Sequence, residues 1–191
     1  MTLSLGGTSS SSGRNHFAVF GLPVRFALDV AALERAWRAV QGAVHPDRFA
    51  GAGEAQRRLA LQYSTQINEA HDTLKDPVLR ASYLCALHGV DVEAERNTAM
   101  PADFLMQQME WRESLEDAVA ARQPETLAQL AQDVQSAIAE GELLLEHLLD
   151  RAAPDYDRAA MEVRRMMFLM KFNQDLLDQQ KRLSHGLTAD R

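Results

Sequence analysis

Along most of the chain apolar residues recur at helical spacing, and the places where that spacing fails mark the joints. Residues 1–13, MTLSLGGTSSSSG, are Gly/Ser-rich and almost uncharged. They carry too little apolar surface to offset the entropy of ordering, which predicts a disordered leader. Order is expected from about residue 14, where His16–Pro23 reads as one short apolar helical turn ended by Gly21 and Pro23. Asp29 is an N-cap for a helix over about 30–45, with Leu33, Ala36, Trp37, Val40 and Val44 on one face of a 3.6-residue period. Pro46 disfavours helix at His45, so His45–Gly53 reads as an exposed loop. A second amphipathic helix over about 54–75 follows, with Leu59, Tyr63, Ile67, Ala70 and Leu74 as its expected stripe. Asp76-Pro77 opens a shorter connecting helix to about His88, and Gly89 is its expected C′ residue.

The polar, aperiodic stretch 90–100 is the expected linker, which groups 14–89 into one N-terminal module. Three long helical patterns come after it, at about 101–122, 124–151 and 155–184, with Pro101, Pro124 and Pro154 at or just ahead of their first turns. Leu127, Leu130, Val134, Ile138, Leu145 and Leu148 form the stripe of the second, and Leu169, Phe172, Leu176 and Leu183 that of the third. Short connections force antiparallel neighbours, so 101–185 is expected to be a three-helix up-down bundle, with 186–191 as a tail. Gly141, inside the middle helix, costs about 1 kcal/mol relative to alanine.

Composition narrows the class without changing the outline. Gly and Pro together number 16 in 191 residues and aromatics make up 6%, so the chain has few ways to build a sheet and reads as all-α. No apolar run approaches the roughly 20 residues of a membrane span, and no secretory signal pattern opens the sequence. Cys85 is the single cysteine and no Cys/His cluster has zinc-like spacing, so no metal or cofactor is expected and a reducing, cytoplasmic compartment fits. The net charge of −7 divides unevenly: residues 1–90 carry nine basic and seven acidic side chains (+2), residues 91–191 eleven and twenty (−9). The C-terminal half has the wrong sign for nucleic acid, and the asymmetry suggests two modules with different partners.

His45-Pro46-Asp47 is the first candidate for chemistry. A catalytic reading needs a nucleophile or metal, an oxyanion site and a pocket. The chain offers no Gly-x-Ser-x-Gly, His-Glu-x-x-His or glycine-rich phosphate loop, so by chemistry alone the tripeptide is a helix-ending turn. Its place between two amphipathic helices, the first carrying Trp37-Arg38, resembles the J domain of DnaJ-type co-chaperones. The run Asn15–Pro23, then Leu28-Asp29, Gln41, His45–Phe49, Ser64, Ile67-Asn68, Ala70, Leu74, Pro77, Arg80-Ala81, Tyr83-Leu84 and Gly89, is similar to the HscB branch of that family. Phe104-Leu105-Met106, Glu110, Arg112-Glu113 and Leu115-Glu116 continue the resemblance, which covers about residues 15–185.

The resemblance implies a non-enzymatic adaptor: a J domain followed by a client-binding three-helix bundle. Such proteins stimulate the ATPase of a DnaK-type chaperone, HscA, and present to it the iron–sulfur scaffold IscU. Carried over by residue, His45, Pro46 and Asp47 would stimulate the ATPase, with Arg35, Arg38 and Arg48 as nearby positive charges for chaperone docking. The scaffold-binding patch would fall on Leu105, Met106, Met109, Glu110, Glu113 and Asp117, with Phe168 from the last helix.

A helical wheel tests that patch. With Leu105 at 0° and about 100° per residue, Met109, Glu113, Met106, Asp117 and Glu110 fall between about 40° and 140°. Phe104, Trp111, Leu115 and Ala118 gather between about −80° and −140°. The second group lacks acids and is the better core face; the first interleaves apolar side chains with carboxylates, as an adaptable interaction surface does. Phe168 lies at the edge of the stripe on its own helix. Three positions depart from the family pattern: Gly42 stands where arginine is common, His71 replaces a tyrosine and Gln107 an acid. Cys85, in an apolar run, is expected to be a small buried hydrophobe, and Met166, Met167 and Met170 to be bundle core; His16, His88, His147 and His185 are scattered without ligand spacing. The rival readings are a J protein serving another client and a helical-bundle enzyme; the Glu-x-x-His pairs of the latter are missing around His147.

Overall fold

The computed structural model describes residues 15–44, 53–92 and 100–189. The expected leader, the His45-Pro46-Asp47 segment with Arg48, and the greater part of the 90–100 stretch lie outside the described residues. The described chain is all-α: α1 His16–Val19, α2 Val30–Val44, α3 Glu54–Lys75, α4 Pro77–Leu87, α5 Ala102–Ala120, α6 Pro124–Asp150 and α7 Tyr156–Ala189, with no strand among the described residues. α7 runs past the expected end near 184 into the tail.

Local chemistry sets the helix ends. Asn15 Oδ1 accepts the Ala18 N–H at 2.8 Å, opening α1. Asp29 Oδ1 accepts from Ala31 and Ala32 at 2.9 and 3.1 Å, and Asp76 Oδ1 from Val78 and Leu79 at 2.8 and 2.9 Å. Both satisfy N–H groups that a first helical turn leaves unpaired, and Pro77 stands at a position where no N–H is needed. At the end of α4 the Val90 N–H reaches the Cys85 carbonyl and the Gly89 N–H that of Ala86. This closure needs a left-handed residue, and Gly89 supplies it with φ 80°.

The chain divides into two compact units. The first holds α1, α2 and α3 and buries Phe17, Leu33, Ile67, Ala70 and Leu74. As far as Val40 the α2 stripe is as expected, with Leu33 buried and Ala36, Trp37 and Val40 half-buried; the Val44 side chain lies outside what is described. The α3 stripe is as expected at Ile67, Ala70 and Leu74 but not at Leu59 and Tyr63, which are exposed; Ala60 and His71 are buried as well. Part of the buried side is polar packing against α2. The Trp37 indole N–H donates to Asn68 Oδ1 at 3.1 Å and its ring stacks on His71 with centroids 4.6 Å apart. On the helical wheel Tyr63 falls between Ala70 and Leu74, and Leu59 about 20° from Ala70, so these contacts bury His71 without accounting for the exposure of Leu59 and Tyr63.

The second unit holds α4 to α7 together with Arg25–Leu28. Leu127, Leu130, Val134, Leu145 and Leu148 of α6 pack with Val163, Met166, Leu169, Phe172 and Leu176 of α7, and α5 lies against both. α4 packs on α7 and α6, burying Val78, Ala81, Leu84 and Cys85, so the boundary falls at Lys75/Asp76 and not at the 90–100 stretch that the sequence suggested. The three-helix bundle thereby gains a fourth member. Val92 is also buried, its carbonyl accepting from Arg164 Nη1 at 3.2 Å. Asp150, ending α6, accepts the Phe26 and Ala27 N–H groups at 2.7 and 2.8 Å and pairs with Arg25 at 3.3 Å. Phe26 is buried under the Arg80 guanidinium, 4.8 Å above its ring.

Met166 is core, but Met167 and Met170 are exposed, against expectation. They follow buried Met166 and Leu169 by one residue, a rotation of about 100° that carries them out of the stripe. Cys85 is fully buried, its thiol 3.7 Å from the Tyr156 carbonyl, and burial pushes its pKa up to about 11. It packs as a small hydrophobe and has little thiolate character at neutral pH. No helix among the described residues is long and apolar enough to cross a membrane, and no group of His, Cys, Asp and Glu among them could hold a metal ion.

Candidate functional site

Two sets of expected site residues belong to the two units. In the first, α2 and α3 form a hairpin held by charge at its open end, where α2 begins and α3 ends. Lys75 Nζ lies 2.9 Å from Glu34 Oε1, and His71 places Nε2 3.2 Å from the same oxygen and Nδ1 3.0 Å from Asp72 Oδ1. The Lys75 hydrogen bond, then that of His71, holds the Glu34 carboxyl below its ordinary pKa. Arg35 and Arg38 project from α2 into solvent; Arg35 lies 3.7 Å from Asp29, and Arg38 Nε donates to the Glu34 carbonyl at 3.2 Å. Arg57 and Arg58, exposed near the start of α3, add two positive charges that sequence reasoning did not single out. Their signal was a basic pair in the first turns after the His-Pro-Asp stretch. His45, Pro46, Asp47 and Arg48 fall outside the described residues.

In the second unit, α5 presents two faces, as its wheel foretold. Phe104 is 5% exposed and Ala118 buried, with Trp111 and Leu115 half-buried beside them. On the other side Leu105, Met106 and Met109 are 46%, 59% and 71% exposed, and Glu110, Glu113 and Asp117 are exposed among them. Burying this face against the bundle would strand three carboxylates without water, so the helix turns its acid-free side inward. Phe168 of α7 is half-buried: its ring meets Phe104 edge-on at 5.6 Å and stacks on Phe172 at 6.1 Å, with the Arg112 guanidinium 5.8 Å from its centroid. The α5 residues therefore share one exposed face, while Phe168 joins it from the core layer.

The result is an apolar cluster ringed by carboxylates, mounted on a helix whose other side is anchored in the bundle. Exposed apolar clusters rimmed by charge are in general the make-up of interaction surfaces, and this one holds no arrangement of nucleophile, base and oxyanion donors.

Comparison with known proteins agrees on one family. A model described as the HscB C-terminal oligomerisation domain matches residues 100–177. The co-chaperone protein HscB homolog of Paraburkholderia phymatum is 49% identical over 177 residues, covering 92% of this chain and 99% of the relative. That of Burkholderia multivorans is 52% identical over 170 residues, 88% and 95% of the two chains. Among solved structures, chaperone HscB from Vibrio cholerae superposes with a TM-score of 0.78 at 36% identity, covering 88% of this chain and 99% of its own. Human co-chaperone HscB gives 0.82 at 22% identity over 90% and 85%, which speaks for the fold.

Proposed function

Since the chain belongs to the HscB family of co-chaperones, we propose that it stimulates ATP hydrolysis by the DnaK-type chaperone HscA. It delivers the scaffold IscU to that chaperone for iron–sulfur cluster maturation, in the cytoplasm. The protein is a co-chaperone and not an enzyme. In this reading His45, Pro46 and Asp47 act on the chaperone, with Arg35, Arg38 and Arg48 steering a partner of opposite charge. Leu105, Met106, Met109, Glu110, Glu113, Asp117 and Phe168 hold the scaffold.

The observation that carries the client half is the exposure of Leu105, Met106 and Met109 within a ring of acids. Apolar anchors near the centre of an interface dominate affinity, while rim carboxylates set orientation and on-rate. Chaperone ATPase is measured with the protein, with IscU, and with both. The expected result is stimulation by the protein, a further rise when IscU is added, and loss of both with His45→Gln at unchanged helicity. Stimulation that IscU leaves unaltered would point to a J protein with another client.

A further inference from the structure

Beside the apolar cluster, at the N-terminal end of α5, lies an open groove of ≈ 540 Å³. Asp103, Met106, Gln107 and Glu110 line it from α5, at the i, i+3, i+4, i+7 spacing that places side chains on one face. Phe104 and, from α7, Arg165 complete its wall. The charges in it are unequal. Arg165 is occupied: its Nε donates to both Glu162 carboxylate oxygens at 3.0 Å, its Nη2 lies 2.9 Å from one of them, and its guanidinium stands 5.6 Å from the Phe104 ring. Its positive charge is therefore compensated within the bundle. Asp103 accepts a hydrogen bond from the Phe104 N–H at 2.9 Å, and neither Asp103 nor Glu110 makes an ion pair among the described residues. Two carboxylates about 10 Å apart, two helical turns, thus flank an apolar floor, with the neutral Gln107 between them.

Resting on the client-binding reading above, we propose that this groove extends the scaffold-binding surface and receives a basic–apolar–basic stretch of IscU. The apolar side chain lies over Phe104 and Met106, and one cationic side chain reaches each of Asp103 and Glu110. Long basic side chains suit such a place, because their aliphatic stems cover apolar surface while their heads stay in water near the carboxylates. Asp103 and Gln107 then become determinants of client preference: the first as a charge, the second as the neutral centre of the acidic track.

The test is IscU binding by calorimetry with the full-length protein, using Asp103→Lys and the opposed pair Gln107→Glu and Gln107→Lys. Both positions are exposed, so melting temperatures should stay near that of the wild type. Gln107→Glu is expected to tighten binding and Gln107→Lys to weaken it, each about two- to fivefold at low salt, with Asp103→Lys weakening similarly. Both Gln107 effects should collapse near 0.5 M salt, where the screening length is about 4 Å. A merely structural role for residue 107 would not give opposite signs. If wild type binds IscU and the Leu105/Met106/Met109 triple alanine variant does not, yet the three groove variants match wild type, the groove is excluded while the client reading stands. If wild type fails to bind IscU, the client reading falls and the groove with it.

Discussion

Gly42 and Gly141 both interrupt helices, and their surroundings give opposite expectations for the same change. At Gly42 in α2 no described atom lies within 4 Å of an added Cβ, so Gly42→Ala should raise stability by about 0.5–1 kcal/mol through lower unfolded-state entropy. Gly42→Arg should do nearly the same and add a positive charge two turns or less from Arg35 and Arg38, lowering the concentration needed for half-maximal ATPase stimulation. An arginine variant that is more stable but no more effective would show that chaperone docking does not use this end of α2. At Gly141 in α6 an added Cβ would meet Met166 Sδ and come within 2.8 Å of Glu162 Oε1. Met166 is fully buried and Glu162 is held by Arg165, so neither yields easily. Overpacking costs about 1–3 kcal/mol, more than the roughly 1 kcal/mol of helix propensity that alanine brings. Gly141→Ala should therefore lower the melting temperature, where propensity alone would raise it. The sequence showed the glycine as a penalty; the neighbour on α7 that requires it is 25 residues away and leaves no local mark.

At the scale of elements, α2 and α6 were legible because their stripes are large and apolar, and α5 because acids mark the side that cannot be buried. α3 was misjudged at Leu59 and Tyr63 because periodicity reads direction around a helix and not position along it, and hydropathy did not register the hydrogen-bonded His71 or Asn68 as packed. The allegiance of α4 was invisible for another reason. Periodicity says that a helix buries a face and not what covers it, and the acceptor for Phe26 and Ala27 is Asp150, 124 and 123 residues along the chain. The open end of the α2/α3 hairpin makes a prediction of its own. Glu34, with its pKa lowered first by Lys75 and then by His71, binds protons more weakly folded than unfolded. Its contribution is thus complete above its ordinary pKa of 4.5 and disappears as pH falls through the depressed folded value. In thermal melts between about pH 6 and pH 3, Glu34→Gln should start less stable than wild type and converge on it toward acid. A constant gap across that range would show that the Lys75–Glu34 contact does not contribute to stability.

For the molecule as a whole, the charge division of +2 and −9 fits the proposed division of labour: a near-neutral hairpin with exposed arginines for one partner and an acid-rimmed apolar face for another. His45 belongs to the first sequence half and Leu105, Met106 and Met109 to the second, so the two proposed activities should be separable. The triple alanine variant at 105, 106 and 109 removes side chains that are half-exposed or more, and should stay folded. Core positions would cost about 2–5 kcal/mol each, enough together to unfold a domain of ordinary stability. This variant is expected to lose IscU binding and keep basal ATPase stimulation; His45→Gln is expected to do the reverse. Mixing the two then asks why one chain carries both sites. If the protein works by tethering, covalent connection places the bound scaffold near the chaperone at an effective concentration on the order of mM. Two half-functional chains at micromolar concentration cannot reproduce that, because the scaffold is held by one molecule and the chaperone by the other. The mixture should show the basal stimulation of the triple variant and the scaffold binding of His45→Gln, without the further rise in ATPase that wild type gives when IscU is added. Full recovery of that rise in the mixture would mean that the two sites act independently and that their linkage in one chain has no part in delivery.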